Sequence, residues 1–156
     1  NSSVHQVITE SQLQRNVFQC VQNLFVDSTS IESEYKVGVA DCISVDIYIP
    51  PSSLVVAFPD DNDLNSNSNS NNNSNSNEIV TSEKGIMVEV NGPSHYIQVG
   101  PGRSDKVLNV ATLRQQQLLE KMGYLYVDIP YDEWNDLKND EGSKKAYLRE
   151  KLQIEN

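Results

Sequence analysis

Two acidic residues and one histidine have the side-chain chemistry and spacing of a reactive site. Asp46 lies inside the alternating stretch SVDIYIP, and Glu89 lies inside the apolar stretch MVEVNG. His95 follows Glu89 by six residues, just past an Asn-Gly-Pro-Ser turn. If the two stretches form neighbouring strands, both carboxylates meet at one edge of a sheet. Two carboxylates supply the hard oxygen ligands that suit Mg²⁺.

The residues alone leave several roles open for this group. His95 could act as an acid or base in the same cleft, and Arg114 could pair with a phosphate or with Glu89. A nuclease of this kind would place a lysine two residues after the second acid, where this chain has Asn91. The acids and His95 could equally serve the architecture, through pairing and turn hydrogen bonds. Metal-dependent hydrolysis, ligand or nucleic-acid binding, and a structural role therefore remain alternatives.

Charge is distributed unevenly along the chain. The formal net charge is -10, which argues against wholesale wrapping of nucleic acid. Residues 1–83 carry eleven acidic and two basic side chains, whereas residues 84–156 carry eleven and ten. Within residues 91–127 the bases outnumber the acids; they are Arg103, Lys106, Arg114 and Lys121. Any surface that faces an anion is therefore expected in the second half.

Hydrophobic periodicity predicts an α/β domain with a small mixed central sheet flanked by helices. Helices are predicted at residues 11–26 and 107–122, in a short segment from residue 131, and in a last segment capped by Ser143. Strands are predicted at residues 35–40, 42–49, 85–92 and 124–130, with a further apolar run at 52–58 and a loop at 93–106. Trp134 is expected to pack in the core rather than to stack on a base.

The Asn- and Ser-rich tract at residues 60–78 is expected to be a disordered insertion, not a domain boundary, because strand-like sequence resumes at Gly85. Residues 1–156 are thus expected to form one domain. The chain begins at Asn1 without an initiator methionine, so we take it as part of a longer protein. No apolar run approaches the roughly 20 residues of a membrane span.

Four blocks in order resemble the RAP domain, an RNA-binding module abundant in apicomplexans. The blocks are SVDIYIP, MVEVNGPSHY, LRQQQLLEKMGYLYVDIPYDEWNDL and KKAYLREKL. The resemblance is strong over residues 84–152, with the helix and strands of residues 1–58 before them. It implies that this domain is the C-terminal part of a larger organelle protein. The organelle would be the mitochondrion or, alternatively, the plastid. Helical repeats would precede the domain, and RNA processing or stability, including that of ribosomal RNA, would be its task.

The resemblance also implies a restriction-endonuclease-like core of the PD-(D/E)xK type, close to the very-short-patch repair endonucleases. In that branch the acids at the positions of Asp46 and Glu89 hold a metal, here Mg²⁺, and His95 and Arg114 match the histidine and the basic residue that follow. Asn91 departs from the pattern because the family usually has an aspartate there. That change removes one charge and weakens any site built from three carboxylates.

Three hypotheses follow for function. The favoured one is RNA binding, with contacts from Asn91, His95, Arg103, Lys106 and Arg114. The first alternative is a metal-dependent endoribonuclease that uses Asp46, Glu89 and His95. The second alternative is a catalytically inactive module that binds a protein partner.

Overall fold

The computed structural model describes residues 10–53, 83–102 and 104–154. The helices are α1 (Glu10–Gln22), α2 (Val110–Lys121), α3 (Tyr131–Asp136) and α4 (Glu141–Lys151). The strands are β1 (Glu32–Val37), β2 (Ile43–Ile49), β3 (Ile86–Asn91), β4 (Tyr96–Gln98), β5 (Lys106–Leu108) and β6 (Leu125–Pro130).

The main sheet is mixed, with the strand order β1-β2-β3-β6. Both the β1–β2 pair and the β2–β3 pair are antiparallel, whereas β3 and β6 run parallel, with Glu89 opposite Asp128. Strands β4 and β5 form a separate antiparallel ribbon. The predicted α/β class with a small mixed sheet is therefore confirmed.

Strand β3 lies at the centre of the fold, and all six of its residues are buried. A strand that is covered on both faces must be apolar on both, which explains why its sequence reads as a nearly continuous hydrophobic run. Ile86, Val88 and Val90 pack on the side of α1, α3 and α4. Met87 packs on the other side, with Leu119 of α2. Glu89 therefore points to the α2 side, where apolar neighbours are fewer.

Strand β1 spans Glu32–Val37 rather than the predicted residues 35–40, and two helix starts also differ from the prediction. Helix α2 begins at Val110 rather than at residue 107, because Asn109 is its N-cap and its side chain accepts the Thr112 N–H at 2.9 Å. The residues just before Asn109 form β5 instead, which pairs with β4 inside the predicted loop. Helix α4 is capped by Asp140 and not by Ser143, whose N–H donates to the Asp140 carboxylate at 2.9 Å.

The prediction for Trp134 is confirmed. Its side chain is 2 % exposed, and its indole N–H donates to Asn16 Oδ1 on α1 at 3.1 Å. This hydrogen bond satisfies the polar end of a ring that is otherwise buried, so α3 and α1 are fixed to each other.

Three parts of the sequence analysis lie outside the described residues: the tract at 60–78, most of the apolar run at 52–58, and Arg103. In the ranges that the structure does describe, none of the helices has the length and apolar character needed to cross a membrane.

Candidate functional site

Asp46 lies where the ladder between β2 and β3 ends. The paired residues run from Ile49 opposite Ile86 to Ile47 opposite Val88. One residue further on, Asp46 Oδ2 accepts the backbone N–H of Val90 at 2.8 Å. Its other oxygen, Oδ1, accepts the side-chain N–H of Gln14 on α1 at 2.8 Å. The side chain of Asp46 thus replaces a strand carbonyl and ties β3 to α1.

Glu89 lies beside Asp46 on the neighbouring strand. Its side chain is buried, with 6 % exposure, and it shares a hydrogen bond with Asp46. The amide of Gln115 on α2 donates to Glu89 Oε1 and also to the carbonyl of Ser44, the latter at 3.0 Å. The structure therefore brings together the two carboxylates that the sequence suggested, and it adds Gln115 as their partner on α2.

Burial determines the protonation of this pair. Removal from water, followed by the negative charge of Asp46, raises the pKa of Glu89 to about 9. Glu89 therefore keeps its proton at neutral pH, and its O–H can donate to the Asp46 carboxylate. The two acids share one proton, because two adjacent carboxylates, one of them buried, cannot both ionise without a large electrostatic cost.

Asn91 connects β3 to β6. It is fully buried, and its side-chain N–H donates to Asp128 Oδ1. The Tyr96 hydroxyl approaches the other oxygen of Asp128 at 3.5 Å, and burial raises the pKa of this carboxyl. Asn91 also lies beside the buried hydroxyl of Tyr126. The residue that departs from the family pattern is thus an interior link between strands.

His95 is docked on the first turn of α2. Its ring atom Nδ1 lies 3.1 Å from the hydroxyl of Thr112. Its backbone N–H donates to Gly92 and its carbonyl accepts from Asn109, the N-cap of α2. Thr112 precedes Gln115 by three residues, so the two lie on one helical face about one turn apart. His95 is therefore one helical turn away from the residue that holds Glu89.

The predicted basic residues lie in three different situations. The Lys106 ammonium is 2.5 Å from Asp132 and lies over the rings of Tyr96 and Tyr131. Its charge is therefore largely compensated inside the domain. Arg114 is exposed on α2, and the neighbouring Gln115 contacts Glu89 in its place. Arg103 lies outside the described residues.

Comparison with known families identifies a domain in the second half of the chain. The family model of the RAP domain matches residues 88–151. These residues form a RAP domain. A RAP domain suggests the binding of nucleic acid. No curated protein and no solved structure matches the chain.

The RAP domain begins inside β3 and ends with α4, so it holds Glu89, Asn91, His95 and Arg114. Asp46 lies outside it, on β2. The acid pair is thus shared between the RAP domain and the segment before it.

The oxygen atoms of this pair do not fit the Mg²⁺ that the resemblance implies. Both oxygens of Asp46 accept N–H groups of the protein, and so does Oε1 of Glu89. Over residues 10–53, 83–102 and 104–154, no three His, Cys, Asp or Glu side chains are grouped to hold a metal. The metal and catalytic roles of Asp46, Glu89 and His95 stay predictions, and this arrangement offers no reaction step through a metal.

Sequence reasoning missed Gln115 and Asp128. Gln115 was missed because the more apolar residues of α2, Val110, Leu113 and Leu118, are exposed, whereas Thr112 and Leu119 are buried on the side of Gln115. Asp128 could have been found from the alternation of YLYVDIP, which places it on the same side as Tyr126 and opposite Glu89 in a parallel pair.

Proposed function

We propose that this chain binds single-stranded RNA through its RAP domain. The observation that carries the proposal is the family match over residues 88–151. The charge distribution supports it. The first half of the chain is strongly acidic, and most of the basic side chains lie in the matched segment.

The outer face of α2 is the surface best suited to phosphates. Arg114 and Lys121 are both exposed and lie seven residues apart, so they project from the same side of the helix two turns apart. Contacts to phosphates supply most of the sequence-independent affinity for RNA. Lys106 is expected to contribute less, because Asp132 and two aromatic rings already hold its ammonium.

The test compares Arg114→Gln with the wild type in binding a fluorescein-labelled single-stranded RNA by anisotropy over a range of salt. Loss of one phosphate contact should weaken binding and reduce the steepness of the log–log salt dependence by about 0.7. The matched control is Lys145→Gln, which removes an exposed base from α4 and leaves α2 unchanged. Equal affinity and equal salt dependence in Arg114→Gln and wild type would remove α2 from the RNA surface.

A restriction-endonuclease-like origin of the core is part of this proposal. It is supported by a mixed sheet in which acids on the second and third strands, Asp46 and Glu89, are in contact. In this chain the pair serves to join α1, β2, β3 and α2 through a shared proton. The fold thus offers RNA a rigid platform, and the acids provide part of that rigidity.

The cellular setting of this RNA binding is proposed from the family resemblance alone. It is an organelle, the mitochondrion before the plastid, with helical repeats of the same protein upstream of the RAP domain. Imaging of the tagged full-length protein against mitochondrial and plastid markers tests this. Residence in neither organelle would reject the setting while leaving RNA binding to be judged on its own assay.

A further inference from the structure

A cavity of about 180 Å³ opens between α1 and the strands β1 and β2. It lies outside residues 88–151, so it belongs to the part of the chain that the RAP match does not cover. Its polar and aromatic lining comes from two sides. Helix α1 contributes Ser11, Gln14, Arg15 and Phe18, and the strands contribute Ser33, Glu34 and Asp46.

The helix side of the cavity is a distinct face of α1. Leu13, Val17 and Val21 form the stripe that packs into the core. Gln14, Arg15 and Phe18 follow a neighbouring stripe of the same helix, because residues three and four apart project together. This stripe places two polar side chains, of which Gln14 donates to Asp46, beside Phe18, a partly buried ring that also packs against the core.

The strand side places two acids opposite each other. Ser33 pairs with Ile47 and Tyr35 pairs with Val45, so Glu34 lies across from Asp46. Like charges at facing positions of an antiparallel pair are unfavourable. Glu34 also has a φ of 52°, in the left-handed region that residues other than glycine rarely adopt. Both features destabilise the pairing of β1 with β2 locally. Residues under such electrostatic or conformational strain are often found at ligand sites.

The lining selects a flat ligand that carries both hydrogen-bond donors and acceptors. Glu34 offers an exposed carboxylate, Arg15 offers a guanidinium, and Phe18 offers a ring surface. A purely cationic ligand would be repelled by Arg15. The volume is below the roughly 300–1,000 Å³ of sites for drug-sized molecules, so the occupant is a small one.

Guanine matches this lining better than the other bases. Its N1–H and N2–H groups form a donor pair for one carboxylate, and its O6 and N7 atoms accept from arginine. We infer that the cavity binds a guanine base of single-stranded RNA, with Glu34 on its donor edge, Arg15 on its acceptor edge and Phe18 against its ring. The inference rests on the proposed RNA binding and adds to it a base preference set by α1 and β1.

The decisive probe changes the RNA and leaves the protein intact. Two fluorescein-labelled decauridines are compared, one with a central guanosine and one with a central inosine, which lacks the 2-amino group. The wild type should bind the guanosine RNA at least about fivefold more tightly than the inosine RNA. This factor is the lower end of the discrimination that a base contact with two hydrogen bonds provides. Glu34→Gln and Phe18→Leu should bring the two affinities together. The control Glu32→Gln alters an exposed acid of the same strand and should keep the preference.

Equal affinity of the wild type for the two RNAs overturns the base pocket, while binding of both still supports the proposed function. Absence of binding to either RNA overturns the proposed function and the pocket with it. Binding of a short arginine-rich peptide that Glu34→Gln abolishes, without a guanosine preference, overturns the inference in favour of a protein partner. If Glu34→Gln does not fold, as judged by thermal melting, the inosine comparison and Phe18→Leu still decide.

Discussion

The buried proton on Glu89 predicts a fall in stability as pH rises through neutrality. In the unfolded chain this carboxyl titrates at its ordinary pKa near 4.5, whereas burial beside Asp46 raises its folded pKa to about 9. Between these values the native state binds one proton more than the unfolded state. The free energy of unfolding therefore decreases with increasing pH across that window, and the stabilisation is complete only below the unfolded pKa.

The slope sets the size of the effect. One proton of difference corresponds to about 1.4 kcal/mol per pH unit. From pH 5 to pH 7 the wild type should lose on the order of 2–3 kcal/mol, which for a chain of this length lowers the melting temperature by about 5–10 °C. Asp128 contributes in the same direction, because burial raises its pKa as well. Acids with lowered pKa values, such as Asp132 and Asp140, make the folded state more stable as pH rises. They are already ionised at pH 5, so they do not change the slope above that pH.

Glu89→Gln isolates this effect. The amide keeps the shape of the protonated acid, and its N–H can still donate to Asp46, so the variant should fold at pH 5 with stability close to that of the wild type. It should remain nearly as stable at pH 8, where the wild type has weakened. The assay is urea unfolding followed by Trp134 fluorescence at pH 5, 6, 7 and 8, with Glu32→Gln on β1 as the exposed control.

Two results would refute the reasoning. A wild type whose free energy of unfolding is flat from pH 5 to pH 8 would mean that Glu89 ionises in the folded state at little cost. A slope that persists unchanged in Glu89→Gln would mean that another group carries it.

The remaining predictions concern the same network. Gln115→Ala should lower the free energy of unfolding by about 1–3 kcal/mol, because it removes the donor to Glu89 and to the Ser44 carbonyl. Urea unfolding measures this change. The control is Gln117→Ala on the exposed side of α2, whose stability should stay near that of the wild type. A cost no larger than that of the control would show that Gln115 is not the partner of Glu89. Calorimetric titration with Mg²⁺ into the millimolar range should give no saturable heat, because protein N–H groups occupy both oxygens of Asp46. Saturable binding that disappears in Glu89→Gln would restore the metal site.

The sequence predicts the sheet well because its strands are short, strongly alternating or uniformly apolar, and bounded by turn residues. Asp46 and Glu89 stand out in such strands, and their contact follows once the two strands are neighbours. Apolar alternation alone does not say which of two adjacent leucines faces the core. Leu118 is 46 % exposed and Leu119 is fully buried, because the packing of α2 against Met87 and Val45 of the sheet decides between them.

The partners of the two acids were harder to predict because they depend on tertiary geometry. Gln115 is one residue from the expected Arg114, and a rotation of about 100° around the helix separates them. The hydrogen bond from Val90 N–H to Asp46 requires β2 to leave the ladder one residue early, and no periodicity in the sequence marks that point. The β4–β5 ribbon did have a signal, the Gly-Pro-Gly of residues 100–102, which is typical of a turn between short strands.

The pairing of Ile49 with Ile86 has a consequence for how this chain can vary. Residues 54–82 join two strands whose facing ends are held together by that ladder. Doubling or halving such a connection changes the free energy of closing it by only about 0.6 kcal/mol. Relatives could therefore gain or lose long stretches at this position at little thermodynamic cost. The distance between Asp46 and Glu89 would stay the same, because the ladder sets it and the length of the connection does not.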